Sequence, residues 1–218
     1  MARGLLLAAV FAFLGVIWPA QAEDRAGDFD YYVLALSWSP TYCTTKSGRR
    51  DRRQCHSGRR FSFVVHGLWP QYETGWPDFC STNRRFVPER RIRDMLDIMP
   101  SKRLVIHQWR KHGTCSGLSQ QDYFALTRSL FDRFQVPARY VAPSRPLLTT
   151  PNELVHDFVT TNLWLKPEMI SVHCGRRRGR ANLAELRVCF GKDLKPRACG
   201  QNARRACRAH TLVMPPVR

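Results

Sequence analysis

Acidic residues are scarce in this chain of 218 residues, which has 17 Asp and Glu compared with 35 Lys and Arg. The formal net charge is therefore +18 at pH 7. Lysine is scarce as well, since six lysines leave 29 arginines, and the planar guanidinium group suits phosphate better than an ammonium group does. So positive a surface attracts polyanions such as nucleic acid, anionic lipid or polysaccharide.

The arginines are concentrated in short runs, at residues 49–53, 59–60, 84–85, 90–93, 176–180 and 204–205. Any single run is explained by a solvated loop. Together, the runs indicate an anionic partner.

Long apolar runs are absent except at the N-terminus, where residues 5–18 follow Arg3 and precede Ala20-Gln21-Ala22. This order is typical of a signal peptide that is cleaved after Ala22. A membrane anchor is the alternative, but the run is shorter than the ~20 residues that span a bilayer. We therefore expect residues 1–22 to be a signal peptide. Residues 23–218 should form one domain with no stable membrane insertion, because this length is enough for a single sizeable core.

Glycosylation signals of the form N-x-S/T are absent, and the short signal peptide fits bacterial export. The predicted location is periplasmic or secreted.

A C-x-x-C pair is also absent, although the predicted mature chain has eight cysteines, namely Cys43, Cys55, Cys80, Cys115, Cys174, Cys189, Cys199 and Cys207. An even number in an exported chain indicates four disulfides. Structural zinc is the alternative, because Cys55-His56 and the segment from His112 to Cys115 supply ligand types. Their long, irregular spacing disfavours it.

The hydrophobic pattern predicts an α+β fold. Residues 28–38 are apolar on both faces, as in a central strand, and residues 61–67 alternate as a strand that ends near His66. An exposed loop, 44–60, lies between them. Strands at 169–174 and 183–190 are joined by a basic turn. Helices are predicted from Pro88 to Met99, around residues 107–112, after Ser119 and after Thr150. Because strands and helices do not alternate regularly, we expect a single domain with a mainly antiparallel central sheet flanked by helices.

The segment "HQWRKHGTC" at 107–115 places four polar side chains on one side of a helix. At about 100° per residue, His107, Gln108, Lys111 and His112 occupy an arc of ~140°. A solvated helix face could look the same. A spacing of five residues makes the two histidines a poor metal pair, since helical ligands prefer separations of three or four.

A second histidine lies in "FVVHGLWPQ" at 63–71, where His66 precedes Gly67 and Trp69. A buried structural histidine is the alternative here. Cleavage of RNA through its 2′-hydroxyl, however, needs two groups that titrate near neutrality, and histidine has an ordinary pKa of about 6.5. A cation such as Lys111 could neutralise charge on phosphorus, and Trp69 could hold an unstacked base.

These two segments resemble the active-site segments of the ribonuclease T2 family, in the same order and at a similar separation. The likeness extends to "YVLALSWSPTYC" near the predicted mature N-terminus and to "ELRVCFGKDLKPRAC" at 185–199. The resemblance implies that His66 is the general acid and His112 the general base. It also implies that His107 and Lys111 bind the phosphate and stabilise the transition state, and that Trp69 binds the base 5′ to the cut.

The chain departs from the family pattern at two positions. Gln108 occupies the place of the usual glutamate, and we expect its amide to donate to the phosphate. Gln71 occupies the place of an acidic base-recognition residue, so base preference is not transferred. His56, His156, His173 and His210 match neither motif and are expected to be ordinary residues.

The resemblance also suggests the pairs Cys80–Cys115, Cys174–Cys207 and Cys189–Cys199, while proximity in sequence suggests Cys43–Cys55. Eight cysteines alone allow 105 pairings.

We expect an exported, monomeric endoribonuclease that needs no metal or cofactor. It should cleave single-stranded RNA by transesterification, through a 2′,3′-cyclic phosphate, to 3′-phosphate ends. The alternative is a catalytically weak, cationic RNA- or membrane-binding protein on the same fold. A zinc hydrolase would need ligands that the spacing does not supply.

Overall fold

The centre of the fold is a sheet of six strands in a computed structural model that describes residues 24–177, 179–201 and 207–218. The predicted signal peptide and the arginines at 204–205 lie outside the described residues. Within these ranges, no helix is long and apolar enough to cross a membrane.

The strands are β1 (Tyr31–Trp38), β2 (Phe63–Gln71), β3 (Leu147–Thr149), β4 (Ile170–Arg177), β5 (Arg180–Gly191) and β6 (Leu212–Met214). The helices are α1 (Ser39–Cys43), α2 (Arg52–Cys55), α3 (Glu89–Arg93), α4 (Lys102–Lys111), α5 (Gln120–Asp132) and α6 (Pro151–Thr161).

The sheet runs in the order β2-β1-β5-β6-β3, and β4 also pairs with β5. All pairs are antiparallel except a single parallel bridge between β5 and β6. The structure therefore confirms a mainly antiparallel α+β fold. It also confirms β1 as a central strand, since Leu34 and Leu36 are fully buried between β2 and β5. Burying a leucine contributes roughly 2 kcal/mol to the free energy of unfolding.

Two helix starts follow the predicted capping chemistry. The Ser119 hydroxyl accepts a hydrogen bond from the backbone N–H of Asp122 at 3.2 Å and begins α5. Thr150 and Glu153 form a reciprocal capping box at the start of α6. These caps satisfy backbone N–H groups that have no partner within the helix.

Several predicted boundaries were wrong. α3 ends at Arg93 rather than Met99, and residues 94–98 continue as turns. β4 and β5 extend into the predicted basic turn. The expected loop at 44–60 contains α2, because Gln54 is buried and its amide donates to the Ser39 hydroxyl at 3.0 Å.

Four disulfides connect these elements, with the pairing expected above: Cys43–Cys55, Cys80–Cys115, Cys174–Cys207 and Cys189–Cys199. The first encloses the basic segment between α1 and α2. The second joins the segment after β2 to the short helical turn that follows α4.

Candidate active site

A β-bulge in β2 places His66. Ala35 of β1 pairs with Gly67 and Leu36 pairs with Val65, so His66 is an extra residue with no partner across the ladder. A bulge bends the strand and re-aims the side chain of its extra residue. The sequence-based expectation that the strand ends near His66 was wrong, because β2 continues to Gln71.

Helix α4 places the second motif. His107, Gln108 and Lys111 lie in its last two turns, and His112 is its C-terminal cap residue. His107 is exposed, whereas Gln108 and His112 are buried. Burial first, and then the nearby Lys111 and His107, lower the pKa of His112 to about 3. The neutral form of the His112 imidazole is therefore favoured near pH 7.

The two motifs meet in one cavity of about 330 Å³. Its lining comprises His66, Trp69, Gln71, Trp76, His107, Gln108, Lys111, His112 and Arg187. Every residue to which the sequence assigned catalysis, phosphate binding or base binding thus lies at the same cavity. Burial, followed by the charges of Lys111 and His66, lowers the pKa of His107.

Trp69 lies close to both His66 and His112. Its ring centroid lies 5.2 Å from that of His66 and 5.3 Å from that of His112. The indole Nε1–H donates to Oε1 of Gln108 at 2.7 Å, which connects β2 to α4. A Cβ atom on Gly67 would lie 1.9 Å from that Oε1 atom, so only glycine leaves room for this bond. The side-chain carbonyl of Gln108 therefore accepts from Trp69, and its side-chain N–H₂ is the part that can donate elsewhere.

Lys111 lies beside an acidic and an aromatic residue from the segment after β2. Its Nζ atom is 3.7 Å from Oδ2 of Asp78 and 5.8 Å from the ring centroid of Phe79. The backbone N–H of Phe79 donates to the Lys111 carbonyl at 2.9 Å, and Cys80 is bonded to Cys115. The disulfide thus anchors the surroundings of the ammonium group.

Two site residues on β5 were missed by sequence reasoning. Oε1 of Glu185 is hydrogen-bonded to Nδ1 of His66, and the Arg187 guanidinium lies 4.8 Å from the ring centroid of Trp69. The sequence contains a sign of them, because these two charged residues interrupt the otherwise apolar run "LAELRVCF". Only the pairing of β5 with β1 shows that Arg187 lines the cavity and that Glu185 lies behind His66, on the side of the adjoining groove.

Trp76 is a further cavity residue that the motifs did not indicate. Trp76 is 51% exposed and therefore offers an open aromatic surface in the cavity that Trp69 also lines. The Arg187 guanidinium covers one face of the Trp69 ring. Gln71 lines the same cavity, although its amide donates to the Pro70 carbonyl at 2.8 Å.

The remaining histidines, His56, His156, His173 and His210, do not line this cavity. Among the described residues, no three His, Cys, Asp or Glu side chains form a group able to hold a metal ion, and no cysteine is free.

The fold and the cavity define a class: a disulfide-linked α+β domain in which three histidines and a lysine line one cavity. The model of the ribonuclease T2 family matches residues 29–199. The chain therefore belongs to the ribonuclease T2 family and, by that membership, is an endoribonuclease.

Individual relatives agree with this assignment. A ribonuclease of Aeromonas hydrophila is 38% identical over 87% of this chain and 82% of its own. Ribonuclease DdI of Dictyostelium discoideum is 27% identical over 86% of this chain and 88% of its own. Among solved structures, an RNase-related protein from Calystegia sepium is 21% identical and superposes with a TM-score of 0.68, covering 87% of this chain and 98% of that protein.

Proposed function

We propose that the chain cleaves single-stranded RNA by metal-independent transesterification, with His112 as general base and His66 as general acid. The observation that carries the proposal is the meeting of two histidines and Lys111 at one cavity. No other reaction class uses this set as directly as 2′-hydroxyl attack on phosphorus, which needs one proton removed, one supplied and one anion stabilised.

His112 suits the base. Its Nδ1 atom is buried without a hydrogen-bond partner among the described residues, so Nε2 is the nitrogen that can reach the cavity. Because burial favours the neutral ring near pH 7, Nε2 can accept the 2′-hydroxyl proton. The 2′-oxygen then attacks phosphorus to form a 2′,3′-cyclic phosphate.

His66 supplies the proton that the departing 5′-oxygen needs. In the second step the roles reverse: His66 removes a proton from water, water attacks the cyclic phosphate, and His112 protonates the 2′-oxygen. The product is a 3′-phosphate, and each histidine returns to its starting state.

Lys111 and His107 face the phosphate, and the Gln108 amide can donate to a non-bridging oxygen as negative charge accumulates. Trp69 and Trp76 provide aromatic surfaces for an unstacked base, an interaction of about 1–3 kcal/mol per base. We also propose that the protein is a monomer. Four disulfides suit an oxidising compartment and support the proposal that it is exported.

We predict that purified protein cleaves single-stranded RNA equally well with and without EDTA, because side chains supply the acid, the base and the cation. New ends should carry cyclic phosphate and later 3′-phosphate. A DNA strand should resist except at a single inserted ribonucleotide, which alone has the attacking hydroxyl. Mass spectrometry of the ends provides the measurement. Binding without cleavage would instead favour the catalytically weak RNA- or membrane-binding protein.

A cationic groove adjoins the cavity and supports an extended RNA substrate. This groove of about 880 Å³ shares His66 and His107 with the cavity. Its cationic lining consists of Lys46, Arg50, Arg52, Arg53, Lys102 and Arg103, all of them exposed. Lys102 pairs with Glu89, while most of the other cations face the groove from the segment enclosed by Cys43–Cys55.

Replacing Arg50, Arg53 and Arg103 together by Gln should lower kcat/KM for a long RNA and leave a dinucleotide substrate unaffected. Each lost phosphate contact should reduce the slope of log(kcat/KM) against log salt by about 0.7, the value for single strands.

The matched control is the triple change of Arg145, Arg180 and Arg208 to Gln, which removes equal charge from exposed sites outside the groove. Equal losses in the two triple variants would show that the total charge acts, and not the groove.

A further inference from the structure

A buried carboxylate lies behind the proposed general acid. The Glu185 side chain is 12% exposed, and its Oε1 atom is hydrogen-bonded to Nδ1 of His66. Oε2 accepts hydrogen bonds from Nε and Nη2 of Arg187 at 3.0 and 2.9 Å, and the Ser37 hydroxyl donates to Oε1 at 3.4 Å. Both carboxylate oxygens therefore have partners, which fixes the carboxylate relative to the imidazole.

Two bulges bring this pair together across β1. His66 is the extra residue in β2, and Ala184 is the extra residue in β5, because His173 pairs with Glu185 while Cys174 pairs with Leu183. Glu185 itself pairs with Ser37 of β1. Glu185 thus directly follows the bulge in β5, and His66 is itself the bulge residue of β2.

The charge state of Glu185 fixes the tautomer of His66. Burial would raise the pKa of Glu185, but the hydrogen bond and charge of His66, together with Arg187, lower it to about 2. Because the carboxylate is ionised near pH 7 and accepts two hydrogen bonds from Arg187, Nδ1 of His66 must be the donor. Nε2 is then the nitrogen available to a substrate, both to give a proton in the first step and to accept one in the second.

We propose that Glu185 is a positioning residue, which holds Nε2 of His66 toward the departing 5′-oxygen and stabilises the imidazolium form that a general acid needs. This inference rests on the proposed function. The other groups that face His66 are cations or can become so: His107, Lys111 and His112 from α4, and Arg187 from β5. None of the described residues that line the catalytic cavity is Asp or Glu, and position 108 carries glutamine. The adjoining groove, which His66 also lines, has Asp51 and Glu185 as its carboxylates. Asp51 accepts hydrogen bonds from the Tyr42 hydroxyl at 3.3 Å and from the backbone N–H of Gln54 at 3.1 Å. Asp78 is 40% exposed and faces Lys111, which leaves Glu185 as the counter-ion of His66.

Two variants separate the charge of Glu185 from its hydrogen bond. Glu185→Gln keeps an acceptor and removes the charge, so kcat on a dinucleotide should fall roughly 10-fold. The alkaline limb of its pH–kcat profile should move to lower pH, because the imidazolium loses its anion and gives up its proton earlier as the pH rises. Glu185→Ala removes both contributions and should lower kcat by about 10²-fold, with KM within about twofold of wild type. Glu168→Gln, an exposed change elsewhere, should leave the profile unmoved.

Nitrogen-15 NMR of wild-type protein gives a test that does not require a variant to fold. Neutral His66 should carry its proton on Nδ1; an Nε2–H tautomer would overturn the inference. So would a Glu185→Gln variant that keeps the wild-type alkaline limb, or one that loses activity by the same factor at every pH. Wild-type protein unable to cleave RNA would refute the proposed function, whereas active wild type with any of these results refutes only the role of Glu185.

Discussion

His66→Ala and His112→Ala should each lower kcat for RNA cleavage by about 10²–10⁴-fold, the usual contribution of a general acid or base. Each change removes one proton transfer but leaves Lys111, His107 and the aromatic surfaces in place. KM should therefore change much less than kcat, and RNA binding should persist. Steady-state kinetics on a dinucleotide and on a long RNA provide the measurement.

His156→Ala is the matched control, since His156 is an exposed histidine on α6 outside the cavity. Thermal unfolding of all three variants is needed because His112 is buried. If the losses at His66 and His112 were no larger than the loss at His156, the acid–base assignment would be wrong.

Much of the fold followed from patterns that the sequence displays openly. β1 was predictable because an uninterrupted apolar run suits a strand buried on both faces. α5 and α6 were predictable from their capping residues and apolar faces. The end of α3 was not, because Met95 and Met99 continue a helical spacing while the chain itself turns to bury them.

The geometry around His66 was beyond sequence reasoning for a physical reason. Counting alternate residues assumes an unbroken ladder, and a bulge inserts one residue without any clear compositional mark. The same limit hid Glu185, whose contact with His66 depends on the register of two strands with β1. In contrast, the two histidine motifs were recognisable because each is a local sequence.

Gln108 shows how an expectation from one motif changes when its neighbour is known. The sequence suggested that its amide faces the phosphate, and nothing in the structure opposes this. The Gln108 carbonyl, however, accepts from Trp69, and Gly67 provides the space. A glutamate at this position could make the same bond to the indole, so the glutamine keeps this link between the motifs while removing a charge.

Replacing Cys80 and Cys115 together by Ala should lower the free energy of unfolding by roughly 4 kcal/mol, because this disulfide closes a loop of 35 residues. It should also lower kcat/KM for a dinucleotide. The bridge holds Phe79, which has a φ of 50°, a backbone conformation that is costly for residues other than glycine. Without the bridge, the segment that donates the Phe79 N–H to the Lys111 carbonyl is held less firmly against the end of α4, so the Lys111 ammonium group is positioned less well. Denaturant unfolding and dinucleotide kinetics measure the two effects.

The pair Cys43 and Cys55 offers a control that separates stability from activity. That disulfide closes 12 residues, so its removal should cost about 3 kcal/mol, only slightly less. It encloses the cationic segment rather than the neighbourhood of Lys111, so dinucleotide cleavage should survive at temperatures where the variant is folded, whereas cleavage of long RNA should weaken. If the Cys80–Cys115 variant, fully folded, cleaved the dinucleotide as fast as wild type, the bridge would have no part in arranging the site. Its contribution would then be to stability alone.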